Sequence, residues 1–374
     1  MRFTINKEAF LKALTTVGHA IPAKPVIALL TNFRLELNEK GLEILGSDNE
    51  ITIRSTVPYK IGQIEVIRGA GLGGALVNAH MLTEIVRRME GDEISMEIID
   101  DSVAKIDDGT GSSFRLISAK AEEYPDIDLE EDGQVFEAKC DALTLLVDQS
   151  AFAASTKDQR PILTALNLEA AGDGQLIATA TDSARLARKS IHIDSDVRFR
   201  CNVKARIFSD IVRLFEGSEY VKVAISASKA LFSFDNTVVA TRLVAGDYPV
   251  TKAIIPTSFN YFLEVNAQEL VNAMGRVSIL SEKDSAVKLS MREDECEIYA
   301  KNERSGSANE RIQTFSFNGE RLEVSFNPQF VIDAIKALRA DDVTLCFQAE
   351  MKPFVVKNPR DDSIVELITP MRTY

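Results

Sequence analysis

The sequence predicts an α+β protein made of three tandem copies of one domain of about 120 residues, each with two helices packed on antiparallel strands. Three observations predict it. Segments from Val77 (VNAHMLTEIVRRMEGDEISMEI), Val203 (VKARIFSDIVRLFEGSEYVKVAI) and Phe326 (FNPQFVIDAIKALRADDVTLCF) share one order of strand, turn, helix, turn and strand. An acidic residue holds the same register position in each, Glu84, Asp210 and Asp333. Tyr124-Pro125 and Tyr248-Pro249 close the first two copies. These marks set domain boundaries at 1–128, 129–252 and 253–374.

Each copy opens with a short strand and a helix: FTINKEAFLKALTTV, FEAKCDALTLLVDQSAFAAS and YFLEVNAQELVNAMGRVSIL. A pair of strands with a turn follows in LTNFRLELNEKGLEILGSD, LTALNLEAAGDGQLIATATD and VKLSMREDECEIYAKNE, where apolar residues alternate as they do on half-buried strands. The second helix of each copy carries an apolar stripe at helical spacing: Leu82, Ile85, Val86 and Met89; Ile207, Ile211, Leu214 and Phe215; Val331, Ala334, Ile335 and Leu338. With about eight strands per copy, strand edges are left needing partners, and an arc of such copies either caps itself or closes with another chain into a ring.

Composition bounds the function. Of the residues, 45% are hydrophobic and 26% charged, enough for an ordinary core and too many apolar residues for a disordered chain. There are 43 basic and 56 acidic residues, so a uniformly basic nucleic-acid binder is excluded, although charge can be segregated. Cys140, Cys201, Cys296 and Cys346 form no close pair, which excludes a zinc knuckle and a disulfide framework. The opening MRFTINKEAF has no apolar leader, and no run reaches the ~18 apolar residues of a membrane span, so a cytoplasmic protein is expected.

No catalytic constellation emerges. Gly69, Gly71 and Gly74 spell a dinucleotide fingerprint after a plausible strand (Ile64 to Ile67) and before a helix, but the equivalent turns at Arg200-Cys-Asn and Ser325-Phe-Asn carry no glycine. A surface loop is expected there. His19, His80 and His192 have no metal-ligand spacing. Thr181-Asp182-Ser183 aligns with Ser47-Asp48-Asn49 and Lys301-Asn302-Glu303, which predicts a turn bonded by side chains, not a nucleophile. Asp100-Asp101, Asp107-Asp108 and Asp361-Asp362 read as solvated turns between strands. Basic residues lie off the apolar stripes of the helices: Lys7, Lys12, Arg87, Arg88, Arg206, Arg213, Arg276, Lys336 and Arg339. Gathered on one concave surface, they would attract a phosphate backbone without reading bases.

Over its whole length the chain resembles the bacterial sliding clamp, the beta subunit of DNA polymerase III. The resemblance rests on the triplication together with MRFTINKEAFLKAL, RPILTALNLEA, ATDSARLA, GDYPVTKAIIP and ELITPMRTY. It implies three clamp-type domains forming half of a closed six-domain ring, with helices inside and sheets outside. A head-to-tail homodimer would hold duplex DNA topologically and tether the replicative polymerase without catalysis, cofactor or metal. A separate clamp-loader ATPase would open the ring, and repair polymerases, ligase and mismatch-repair factors would share its peptide pocket. The chain would work in the cytoplasm, at the nucleoid, with no membrane partner. Carried over position by position, that pocket comprises Leu163, Thr181, Ser183, Arg185, Leu186, Pro249, Ile254, Asn327, Phe330, Met351, Leu367, Thr369, Pro370, Met371 and Arg372. Ile162, Ala184 and Ala253 depart from better-known members, which carry aromatic or basic side chains there, and so alter the rim. The resemblance pairs Phe114 and Leu116 with Ile279 and Leu280 across the ring seam. It assigns Lys24 and Lys157 to DNA, with Lys12, Arg88, Arg206 and Arg213 on the helices. A monomeric peptide-binding scaffold and a nucleotide-dependent enzyme are the rival readings.

Overall fold

The computed structural model describes the whole chain except residues 26, 281–285, 303 and 373–374, and the side chain of Ala70. The described residues fold into two compact units, one from Met1–Ala138 and Leu214–Leu243, the other from Lys139–Arg213 and Val244–Tyr374. The predicted second domain, 129–252, contributes to both units because its strands pair with each neighbouring copy. Thr237–Arg242 pairs antiparallel with Ile51–Pro58 in the first unit. In the second, Arg185–His192 pairs with Asp361–Ile368.

Six α-helices are described: α1 (Lys7–Gly18), α2 (Ala79–Arg88), α3 (Cys140–Asp148), α4 (Ala205–Arg213), α5 (Ala267–Val277) and α6 (Pro328–Leu338). They pack in the predicted pairs, α1 with α2, α3 with α4 and α5 with α6. Four begin on an asparagine whose side chain accepts a backbone N–H of the first turn: Asn6 from Ala9, Asn78 from Met81, Asn266 from Glu269 and Asn327 from Gln329. Such a cap stabilises a helix by ~1 kcal/mol, so these termini are encoded locally. The first unit holds a thirteen-stranded sheet and a two-stranded hairpin. The second holds sheets of nine and four strands. Each helix turns its apolar stripe onto a sheet, as α5 and α6 do over Leu263, Leu289, Phe326, Leu345 and Phe354.

The glycine-rich stretch is neither a phosphate loop nor the expected surface loop. Ile67–Gly71 pairs with Arg2–Asn6, and Gly73–Asn78 pairs with Asn32–Asn38. Of these glycines Gly74 answers a close approach: a Cβ on it would stand 2.7 Å from that of Ala121, on the 3-10 turn Ala121–Glu123, whereas Gly69 faces open space. Two predicted solvated turns are also corrected. Asp108 is buried and accepts hydrogen bonds from Glu90 N, Thr110 N, Thr110 Oγ1 and Ser112 N. Asp361 belongs to a strand and holds the buried Lys189 at 3.0 Å.

Candidate partner-binding site

The Thr181-Asp182-Ser183 turn fixes the site. Asp182 Oδ1 accepts from the backbone N–H of Ala184 and Arg185, and the Thr181 hydroxyl donates to the Arg185 carbonyl at 2.6 Å. Ser183 is left with φ 81°. The same device recurs at Asp48, which accepts from Glu50 and Ile51, and at Asn302, which accepts from Arg304 and Ser305. Asn49 repeats the left-handed conformation at φ 78°, and Glu303 lies outside the described residues. A short acceptor two residues before a free N–H is what such a turn requires. The turn reading of these triplets is therefore the one the structure supports.

The turn delivers Arg185 into a fully used position. Its guanidinium donates to Asp182 (3.1 Å), Asp333 (2.7 Å) and the Phe152 carbonyl (2.8 Å), and lies 4.6 Å over the Phe330 ring. A planar, permanently charged fork with five donors fits this role, and lysine would not replace it. Asp333, Asp182 and Phe152 were not among the predicted site residues. Asp333 had been visible only as the third member of the repeated acidic position.

On the opposite face of the same strand, Leu186, Val355 and Leu367 form an apolar cluster with Ile255, Phe259 and Val365 packed against it. Leu186 faces Leu367 across one pair of strands, and Val355 faces Leu367 across the next. Ile254, on a one-turn 3-10 helix at Lys252–Ile254, is 51% exposed, and Met351 is 48% exposed. Pro249 and Arg372 are exposed as well. Leu163 is buried, with its carbonyl accepting from Ser155 N. The last strand is pinned by Thr369 N donating to Ala184 O and Met371 N donating to Ser325 O, and Pro370 between them is buried. Asn327 is occupied as the α6 cap. Tyr248, adjoining Pro249, accepts the Thr181 N–H, and burial pushes its hydroxyl pKa up to about 12.

Five of the basic residues on the helices have acidic partners. Arg87 and Arg88 both pair with Glu84, Arg213 with Asp210, Arg276 with Glu310 and Arg339 with Asp148. Lys7 donates to the Met89 carbonyl. Lys12, Lys24, Lys157 and Arg206 are exposed, and Lys7 is half-buried. Arg206 and Arg213 line one cavity of about 540 Å³ with Lys204, beside the loop that carries Lys157.

At the expected seam, Ser113–Ala119 pairs on one side with Val103–Asp107, while only Ser118 and Ala119 pair on the other. Among the described residues the strand is therefore an open edge along its first five residues. Phe114 on it is 43% exposed, Leu116 is half-buried, and Ile117, which the sequence reading missed, is 90% exposed. Gly306–Arg311 ends the four-stranded sheet as a second edge. After α5, a 3-10 turn at Ser278–Leu280 presents Ile279, 80% exposed.

Three family models cover the chain: the N-terminal, central and C-terminal domains of the DNA polymerase III beta subunit, at residues 1–128, 137–250 and 252–372. The beta sliding clamp of Bacillus subtilis strain 168 is 30% identical over 380 residues, covering all of both chains. The chain belongs to the DNA polymerase III beta subunit family. The crystal structure of the Bacillus subtilis DNA polymerase sliding clamp matches over all of both chains with a TM-score of 0.96 and 30% identity. A Pseudomonas aeruginosa sliding clamp bound to griselimycin matches over all of both chains with a TM-score of 0.92 and 25% identity.

Members of the beta subunit family are processivity factors and not enzymes. The four cysteines are buried, and burial pushes the Cys201 and Cys296 thiols up to about 12, which leaves them unreactive at neutral pH. Among the described residues no three His, Cys, Asp or Glu side chains gather as a metal site. Among the described residues no helix is long and apolar enough to cross a membrane.

Proposed function

We propose that this sliding clamp acts as a head-to-tail homodimer whose six domains, with boundaries at 1–128, 129–252 and 253–374, close around duplex DNA. The open edge at Ser113–Ile117, with Phe114 and Leu116, meets Ile279, Leu280 and the Gly306–Arg311 edge of a second copy. Edges with unpaired backbone groups are templates for strand addition, and a heterologous contact that closes after two copies makes a ring. Lys24, Lys157, Lys12, Arg88, Arg206 and Arg213 face the phosphate backbone. The Leu186–Leu367 patch, with Leu163, Thr181, Ser183, Arg185, Pro249, Ile254, Asn327, Phe330, Met351, Thr369, Pro370, Met371 and Arg372 around it, receives short peptides. Their sources are the replicative polymerase, the clamp-loader ATPase, repair polymerases, ligase and mismatch-repair factors, in the cytoplasm and at the nucleoid. An apolar cluster with a polar rim suits such a segment: aliphatic anchors enter the cluster while the rim holds the backbone.

The observation that carries this reading is the full-length match to three tandem clamp domains on a chain that is itself triplicated. Light scattering over a range of concentrations tests it. The chain is expected at about twice 41.2 kDa, falling to the single-chain mass in Ile279→Asp or Phe114→Asp. A constant single-chain mass for the unaltered protein at micromolar concentration removes the ring and leaves a monomeric peptide-binding scaffold.

A further inference from the structure

The first unit repeats the partner-binding site of the second, but fills it with its own chain. By register, Thr52, Ala240 and Leu231 stand where Leu186, Leu367 and Val355 stand: Ala240 pairs with Thr52 and with Leu231, as Leu367 pairs with Leu186 and with Val355. Val238 takes the place of Val365, Leu30 that of Leu163, and Tyr124-Pro125 that of Tyr248-Pro249. The segments after the two Tyr-Pro pairs then differ. In the second unit Ile255 and Phe259 pack on the Leu186, Val355 and Leu367 cluster, while Val250 and Ile254, which hold the register positions of the exposed Asp126 and Glu130, are left 76% and 51% exposed. In the first, Ile127 and Leu129 are half-buried. Both pack against the cluster of Leu30, Leu45, Leu76 and Tyr124, and Leu129 also packs against Ala224, Leu231 and Ala240.

The segment reads Asp126-Ile127-Asp128-Leu129-Glu130, with both aliphatic residues on the sheet side and all three acids exposed. That is the two-residue alternation of an extended strand lying on a surface. Charge holds it at its end: Lys229 pairs with Asp128 at 2.6 Å and with Asp132 at 3.7 Å, and Lys222 pairs with Glu131. A cavity of about 520 Å³ remains beside it, lined by Arg34, Arg54 and Leu45 as well as the strap. The Arg34 Nε–H beneath it is buried without a hydrogen-bond acceptor.

We propose that residues 126–130 occupy, in cis, a second peptide-binding site on the Leu231–Ala240 surface, whose ligand class is an extended peptide of alternating aliphatic and acidic residues. Tethered at both ends, the strap has an effective concentration of order millimolar and excludes competing peptides, so each chain presents one open site instead of two. The inference rests on the repeat correspondence. It also rests on the proposed reading of the Leu186–Leu367 patch as a peptide site, and it does not require DNA encirclement.

The test uses the full chain with residues 126–132 replaced one for one by glycine and serine, and a fluorescein-labelled synthetic peptide of residues 123–133 as probe. Anisotropy titration is expected to give one more peptide equivalent per chain for the replaced protein than for the intact one. Raising salt from about 0.05 to 0.5 M is expected to weaken that extra binding roughly tenfold as the lysine pairs are screened. Equal equivalents in both proteins overturn the proposal, and so does equal binding of a scrambled peptide with its two aliphatic residues adjacent. If circular dichroism shows that the replaced chain does not fold, Ile127→Ser/Leu129→Ser keeps the backbone and the ion pairs. An added equivalent in that variant supports the second site, and its absence overturns it.

Discussion

Glu366 stands two residues from Ile368, the strand partner of Arg185, and is paired with Ala187, so its carboxyl shares a face with the Arg185 guanidinium. It is 2% exposed, and Oε1 has no hydrogen-bond partner. Burial pushes its pKa well above the carboxylate range, with Arg185 opposing only in part. The folded chain therefore keeps a proton that the unfolded chain releases near pH ~4.3. Stability from this group is fully present below that pH and is lost as pH rises toward the folded value. Glu366→Gln keeps the shape and removes the titration. Its melting temperature should match the parent near pH 4 and exceed it at pH 8, by an amount corresponding to roughly 1–3 kcal/mol. Calorimetry showing the same difference at both pH values would contradict this account. None of it was legible in the sequence, where Glu366 is one acid in VELITP. Arg185 was found through the family pattern. Its acceptor Asp333, 148 positions away, was not, because no periodicity encodes which side chain meets an arginine across a fold.

At the level of elements, the repeated acid within each second helix acquires a meaning that its register alone did not give. Glu84 holds Arg87 and Arg88, Asp210 holds Arg213, and Asp333 reaches Arg185. Two copies thus damp the basic face of their own helix, and the third commits its acid to Arg185 in the candidate site. Exposed pairs of this kind contribute ~0–1 kcal/mol to stability, so their removal should leave the fold intact. A phosphate backbone, however, competes directly for the same guanidinium groups. Glu84→Gln and Asp210→Asn should each strengthen binding to a short linear duplex by roughly three- to tenfold at low salt, with a steeper salt slope. Unchanged affinity in fluorescence anisotropy would mean that these arginines do not face DNA. Helix identity was legible because stripes and asparagine caps are local signals. The glycine fingerprint misled for a related reason: spacing specifies the residues, but only the fold shows that Gly74 is small to admit Ala121 from a 3-10 turn.

For the whole molecule, triplication was written in the sequence, but the division into two compact units was not, since it follows from copy two pairing with both neighbours. The same balance governs how the protein holds DNA. Each chain carries a net charge of −13, and its helix arginines are largely paired within the chain, so direct affinity for a duplex should be weak and steeply salt-dependent. Weak grip is compatible with long residence only if the link is topological. A closed ring leaves a circle by opening and leaves a linear duplex by reaching an end. Protein loaded on a nicked circle should therefore stay bound at a salt concentration that abolishes binding to linear DNA, and should be released when a single restriction cut linearises the circle. Gel filtration of labelled protein with the DNA, before and after the cut, measures both. If salt alone stripped the protein from the intact circle as readily as from linear DNA, contact and not encirclement would be holding it. Release upon cutting at unchanged salt separates the two, because the cut removes no phosphate and weakens no ion pair.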